Sequence, residues 1–193
     1  VAGNLAGPES REANGETWWP GETLQAAIGQ SEQQFTPIQM ANYMATILNG
    51  GTRYRPHFLK QVVSYDYTQV VEEYEPEVLA EMDISESTIE AIKEGMRGVV
   101  TDDGTAASVF RDYPIAVGGK TGSAQTTASK SQSAHGVFIS FAPYDDPQIA
   151  VFVLVEHGGS GGNVAPIVRD IYDAYFGKQT NPDPAPQENT LIY

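Results

Sequence analysis

The chain contains no cysteine, few basic residues and no long apolar run. Without cysteine it forms no disulfide, which is compatible with an oxidising compartment but does not establish one. The three histidines, His57, His135 and His157, are scattered along the chain, so no Cys/His cluster is present to hold zinc. We expect structural roles for these histidines.

The charge balance is strongly acidic. The 11 lysines and arginines are outnumbered by 25 aspartates and glutamates, which gives a net charge of −14 at pH 7. Such a chain would be repelled by nucleic-acid phosphates and has no basic patch for anionic lipid. No run of about 18 apolar residues is present to span a bilayer, so we expect any membrane anchor to lie outside this chain.

The apolar pattern predicts a mixed chain of the α+β type, with 193 residues sufficient for one domain with a sizeable core. Residues 1–22 are rich in glycine and proline and are predicted to form a loop. Thr36 as N-cap, Pro37 at the first helical position and Gln39 predict a helix that ends at Asn49.

Periodicity predicts the remaining elements, and the short links between the last three strands favour an antiparallel meander. Further helices are expected at residues 85–101, 105–110 and 163–177. Strands are expected at residues 58–59, 62–63, 70–71, 115–126, 136–141 and 149–156.

The most informative stretch is IAVGGKTGSAQT, from Ile115 to Thr126. On a strand, Thr121 and Ser123 share one face and Lys120 lies on the other. Glycines permit close approach of another chain. Hydroxyls, an ammonium group and accessible backbone N–H groups suit an extended ligand that carries a carboxylate.

Two mechanisms compete for this motif. A phosphate-binding loop of the Gly-x-x-x-x-Gly-Lys-Ser/Thr type needs a glycine where the chain has Pro114, and a helix where the pattern continues as a strand. The alternative is the Lys-Thr-Gly box of serine acyl-transferases that bind penicillin. The surrounding sequence favours the second.

The segment Gly119–Thr126 resembles the third active-site box of class B penicillin-binding proteins, and the elongation-type D,D-transpeptidases are the most similar. The resemblance runs from about Trp18 to Gly177. The other matching segments, in family order, are residues 27–31, 35–42, 49–57, 135–143 and 155–159.

This resemblance implies an antiparallel sheet between helices, the penicillin-binding/β-lactamase-like fold, incomplete in this chain. Residues 1–177 would be the C-terminal part of the transpeptidase domain and residues 178–193 a flexible tail. The implied site residues are Lys120 and Ser123 as catalytic groups, and Lys120, Thr121, Gly122 and Ser123 as the substrate-binding strand. No metal or other cofactor is implied.

The family nucleophile lies in a Ser-x-x-Lys box, and no serine here has a lysine three residues later. Thr127 and Lys130 have that spacing with threonine, but not at a helix start. The second box, Ser-x-Asn or a variant, is also expected to be absent. Both boxes are therefore expected before Val1, in a missing part that would be a partner of this chain.

The implied reaction cross-links peptidoglycan stem peptides through an acyl-serine, with β-lactams acylating the same serine. Cell-wall elongation proteins are the implied partners, and the extracytoplasmic face of the bacterial membrane is the implied location. Two alternatives stay open: a non-catalytic scaffold with a transpeptidase-like fold, and a relative that senses or hydrolyses β-lactams.

Overall fold

The computed structural model describes residues 2–101, 103–125 and 133–180, with the backbone alone for 178–180. Within these ranges the helices are α1 (Pro8–Ala13), α2 (Pro20–Ala27), α3 (Pro37–Leu48), α4 (Glu86–Val100), α5 (Ala107–Phe110) and α6 (Gly161–Thr180). The strands are β1 (Thr52–Tyr54), β2 (Gln61–Val63), β3 (Val70–Glu73), β4 (Val78–Glu81), β5 (Gly118–Ala124), β6 (His135–Ala142) and β7 (Ile149–Val155).

The central sheet has the order β5-β6-β7 and is antiparallel throughout, which confirms the predicted meander. The pairing of β5 with β6 runs without a register shift from Gly118 opposite Phe141 to Ala124 opposite His135. Strand β6 is the middle strand, and most of it is buried. The sheet therefore fixes β5 against a rigid neighbour.

Helices cover both faces of this sheet, as the predicted fold class requires. On one face Phe138 packs with Phe110 of α5 and Tyr172 of α6. On the other face Ile139 and Phe141 pack with residues of α3 and α4, among them Met44 and Met96. Alternate residues of β6 thus supply two separate cores, as the period of two along a strand dictates.

One polar pair is buried inside the first core. The hydroxyls of Ser140 on β6 and Tyr172 on α6 are 2.6 Å apart, and both residues have no exposed surface. Burial raises the pKa of the Tyr172 hydroxyl far above its ordinary value. The pair satisfies two hydroxyls that would otherwise be costly to bury.

The two long predicted helices in the first half of the chain are confirmed. Thr36 caps α3, with its hydroxyl accepting from the Gln39 N–H at 3.3 Å and the Gln39 side chain returning to the Thr36 N–H at 2.8 Å. Ser85 caps α4 through the Thr88 N–H at 3.2 Å. The capping signal at Thr36 therefore placed the start of α3 correctly, and apolar periodicity did the same for α4.

The prediction of a loop over residues 1–22 is wrong, because α1 and the start of α2 lie there. Pro8 and Pro20 occupy the first helical positions, where proline has a favourable φ and its missing N–H costs nothing. Arg11 of α1 pairs with the carboxylates of Glu16, Glu22 and Glu32, and these ion pairs hold the short helices together.

The predicted bounds of the last helix are also wrong. The helix begins at Gly161, two residues before Asn163, and continues past Gly177 to Thr180. A Cβ on Gly161 would lie 2.3 Å from the Val137 carbonyl oxygen, so the first turn sits directly on the sheet and needs a glycine. The rest of the predicted tail, residues 181–193, lies outside the described residues.

Residues 52–81 form two small antiparallel pairs, β1 with β4 and β2 with β3. The strand predicted at Phe58 and Leu59 is absent, and Phe58 is fully exposed. The predicted strands at 62–63 and 70–71 correspond to parts of β2 and β3. None of the helices in the described ranges is long and apolar enough to cross a membrane.

Candidate active site

The Lys-Thr-Gly box lies on β5, at the edge of the central sheet. Among the described strands, β5 pairs only with β6, so its other edge is open along Lys120, Thr121, Gly122 and Ser123. An open edge offers backbone N–H and C=O groups to an extended ligand, which can add as a further strand. This edge is the candidate binding surface.

The three side chains of the box point to opposite faces of β5. Lys120 lies opposite Ile139, whose side chain packs towards α3 and α4, whereas Thr121 lies opposite Phe138, on the side of α5 and α6. Ser123, two residues further on, shares the face of Thr121. Lys120 and Ser123 are exposed and Thr121 is half-buried.

Contacts to two backbone carbonyls show which residues of β5 direct their backbone N–H and C=O groups to the open edge. The ammonium Nζ of Lys120 donates to the Thr121 carbonyl at 2.8 Å, and the side-chain Nε2 of Gln30 donates to the Ser123 carbonyl at 3.0 Å. Residues two apart on a strand present their backbone groups to the same edge. The N–H groups of Thr121 and Ser123 therefore face the open edge with these carbonyls.

Glycines set how closely the surroundings approach the box. A Cβ on Gly119 would lie 2.6 Å from the ring of Phe138, and one on Gly118 would lie 2.4 Å from the ring of Phe141. A Cβ on Gly161 would lie 2.5 Å from the Gly122 nitrogen. The two rings therefore pack on opposite faces of β5 just before the box, and the start of α6 lies against the box at Gly122.

Two contacts of the box involve residues outside the Lys-Thr-Gly motif, for which the sequence predicted no role at the site. Gln30 follows α2 and reaches Ser123 across 93 residues of sequence. Thr105, between α4 and α5, has its hydroxyl 2.7 Å from the hydroxyl of Thr121. Neither contact leaves a periodic signal, since each depends on how separate elements pack.

Two histidines lie beside the end of the box strand and have structural contacts, as expected. The backbone N–H of His157 donates to Nδ1 of His135 at 3.0 Å, and Nδ1 of His157 is 3.1 Å from the Ser133 carbonyl oxygen. His135 faces Ala124 in the sheet register. The pair ties the start of β6 to the end of β7. In the described part of the chain, no three His, Asp or Glu side chains are grouped in a way that could hold a metal.

The alternative nucleophile considered from the sequence, Thr127 with Lys130, lies outside the described residues. The expectation that no variant of the second box occurs is wrong as a statement about the sequence, because Ser64-Tyr65-Asp66 has the Ser-x-Asp spacing. Its contacts are those of a turn between β2 and β3, where Ser64 Oγ donates to Asp66 at 2.6 Å. Hydrogen bonds from Ser64 and Thr68 lower the pKa of Asp66.

Comparison with known proteins agrees with this geometry. The family profile described as "Penicillin binding protein transpeptidase domain" matches residues 4–173. The chain is 33% identical over 190 residues to the peptidoglycan D,D-transpeptidase MrdA of Escherichia coli strain K12, covering 91% of this chain and 29% of that protein. The chain therefore spans less than a third of this curated relative.

Solved structures show the same fold. A crystal structure of Pseudomonas aeruginosa PBP2 in complex with WCK 5153 matches with a TM-score of 0.75 and 34% identity, covering 91% of this chain and 38% of that one. A structure titled as the structural coordination of polymerization and crosslinking by a peptidoglycan synthase complex matches with a TM-score of 0.76 and 29% identity, covering 96% and 30%. The chain thus belongs to the penicillin-binding protein transpeptidase family, among the class B, elongation-type members.

Proposed function

We propose that the protein is a serine-type peptidoglycan D,D-transpeptidase, and that this chain supplies its substrate-binding strand. The observation that carries the proposal is the open edge of β5, where the box residues present two hydroxyls, one ammonium group and outward N–H groups. These are the groups that an extended peptide ending in a carboxylate requires.

In this proposal the D-Ala-D-Ala end of a stem peptide lies along β5. The hydroxyls of Thr121 and Ser123 donate to its terminal carboxylate, and Lys120 supplies positive potential from the other face of the strand. Gly122 leaves room for the acyl group between them. A β-lactam carries a carboxylate in a comparable position and would occupy the same edge.

The backbone N–H of Ser123 is the proposed oxyanion donor within this chain. Because that N–H faces the open edge, it can donate to the carbonyl oxygen as negative charge develops there. Loss of one such donor typically raises the barrier by about 3 kcal/mol. The second donor in this proposal is the backbone N–H of the nucleophilic serine.

We place that nucleophile, with the second box, in a part of the protein outside these 193 residues. The proposal is supported by the absence of Ser-x-x-Lys from the sequence and by the share of the relatives that the chain covers. The serine would attack the D-Ala-D-Ala carbonyl, form an acyl-enzyme and release D-alanine. An amine on a neighbouring peptidoglycan strand would then attack the acyl-enzyme, take the acyl group and release the free serine. The chain alone would therefore be inactive.

The proposed setting is the extracytoplasmic face of the bacterial membrane, with the anchor outside this chain. Cell-wall elongation proteins are the proposed partners. This is supported by the similarity to MrdA and to the structure titled for a peptidoglycan synthase complex.

The test is covalent labelling of the natural full-length protein with a fluorescent penicillin. We expect labelling that Lys120→Ala abolishes or greatly slows. Lys60→Ala is the matched control, since Lys60 is also exposed but lies between β1 and β2, and it should label normally. If the correctly folded full-length protein takes no label, the proposal of an enzyme is contradicted and the alternative of a non-catalytic scaffold is favoured.

A further inference from the structure

We propose that Thr105 is a positioning residue, whose hydroxyl orients the Thr121 hydroxyl so that its proton points to the substrate carboxylate. The inference rests on the proposed function and adds to it a group outside the Lys-Thr-Gly box. It comes from one contact, the 2.7 Å separation between the Oγ1 atoms of Thr105 and Thr121.

Thr105 lies on a rigidly held piece of backbone. The N–H of the next residue, Ala106, donates to the Val99 carbonyl at 3.0 Å, and Ala106 is fully buried. Gly104 packs on the end of α4, where a Cβ would lie 2.2 Å from the Val99 oxygen. Gly162, in the first turn of α6, approaches so closely that a Cβ there would lie 3.0 Å from the backbone carbonyl oxygen of Thr105.

The same first turn also rests on the box strand. Gly161 adjoins the backbone of Gly122, and Gly162 adjoins the backbone of Thr105. One helix start therefore holds both partners of the hydroxyl pair in register. Backbone packing therefore brings Thr105 and Thr121 close enough for their hydroxyls to meet.

The chemistry of a hydroxyl gives this contact a direction. A threonine hydroxyl has one proton to donate and an oxygen that accepts. If Thr105 donates to Thr121, the Thr121 oxygen is the acceptor in this contact and its single proton is free for the carboxylate. If Thr121 donated to Thr105 instead, its proton would be used in that hydrogen bond and would not be available to the carboxylate. A negatively charged ligand at the β5 edge selects the first arrangement.

The contact adds little to folding stability. Thr105 is exposed and Thr121 is half-buried, so both hydroxyls can exchange this bond for one with water. A hydrogen bond in that setting contributes modestly, whereas one made to a charged group is stronger. The effect of Thr105 should therefore appear in ligand acylation rather than in stability.

The experiment measures the second-order acylation rate of the full-length protein with benzylpenicillin and with its methyl ester. Thr105→Val keeps the side-chain shape and removes the donor, and Thr105→Ser keeps the hydroxyl. We expect Thr105→Val to slow acylation by benzylpenicillin about tenfold. Acylation by the ester, which has no carboxylate charge, should change less than twofold or so, and Thr105→Ser should restore the rate with benzylpenicillin.

Two controls separate positioning from a structural effect. Ser108→Ala removes an exposed hydroxyl from α5 and should leave both rates unchanged. In a Thr121→Val background, Thr105→Val should have no further effect, because the group it positions is gone. Melting temperatures of all variants, measured alongside, should agree within a few degrees.

Equal slowing with both ligands, or no slowing with benzylpenicillin, would overturn the role of Thr105 while leaving the proposed function intact. Additive losses in the double variant would overturn it as well. If the unsubstituted full-length protein is not acylated by either ligand, the proposed function itself fails. The two failures are therefore distinct.

Discussion

The central sheet and the two N-terminal helices contrast in how they are held. Phe138 and Tyr172 have no exposed surface and lie between layers of helix and strand. In α2 and just after it, Leu24 is 72% exposed and Ile28 is 73% exposed. The sheet is stabilised by its own apolar packing, whereas α1 and α2 bury little apolar surface and are linked by ion pairs from Arg11.

The box lies where these two regions meet. Its backbone is fixed by pairing with β6 and by the two cores, while the Ser123 carbonyl on its open edge is contacted by Gln30 from the exposed region. The geometry of the strand is therefore a property of the core. The Gln30 side chain at its open edge, by contrast, comes from a segment whose apolar side chains are exposed to solvent.

The largest expected effect tests the core side of this contrast. Phe138→Ala removes a ring that stacks on Phe110 with centroids 5.9 Å apart, and should lower the free energy of unfolding by about 3–5 kcal/mol. Phe58→Ala is the control, because Phe58 is fully exposed, and it should change this free energy by less than about 0.5 kcal/mol. Urea unfolding of both variants measures the difference. Equal losses would contradict the assignment of Phe138 to a buried core and of Phe58 to the surface.

Two glycine-to-alanine substitutions should give the next largest change in unfolding free energy. Gly161→Ala places a methyl group against the Val137 and Gly122 backbones, and we expect a loss of about 1–3 kcal/mol in unfolding free energy. Gly98→Ala, inside α4, meets no described atom within 4 Å and should stabilise by about 0.5–1 kcal/mol. Thermal and urea unfolding should show opposite signs for the two changes. A neutral Gly161→Ala would mean that α6 does not rest tightly on the box.

The smallest expected effect concerns the exposed region. Leu24→Ser, measured on this 193-residue chain, should change the unfolding free energy by less than about 0.5 kcal/mol, because the side chain is mostly in solvent. A larger loss for the same change in the natural full-length protein would show that another part of that protein covers α2. If the loss were already large in this chain, α2 would be packed rather than exposed.

The elements with the strongest local signals were predicted well. The cap at Thr36 identified the start of α3, apolar periodicity identified α4, and the short links between the last three strands indicated the meander. These signals work because hydrogen-bond capping and face alternation are decided by residues that are close in sequence. The strand position of the box followed from the same alternation.

The failures involve residues whose roles are set at a distance. Pro8 and Pro20 suggested a loop, although proline is equally suited to a helix start. The requirement for glycine at the start of α6 comes from its close approach to Val137, which no local pattern reveals. Gln30 and Thr105 meet the box only after α2, α4 and α6 are in place.

The open edge of β5 has a further consequence for the protein as a solute. A bare strand edge is a template for pairing with other chains, and proteins commonly protect such edges with lysine or with covering groups. Here Lys120 and Gln30 donate to both outward carbonyls of the box. A second protein molecule, like the proposed peptide substrate, could pair with these carbonyls only by displacing the two donors. The lysine that is proposed to draw a carboxylate to the edge therefore also guards the protein against aggregation there.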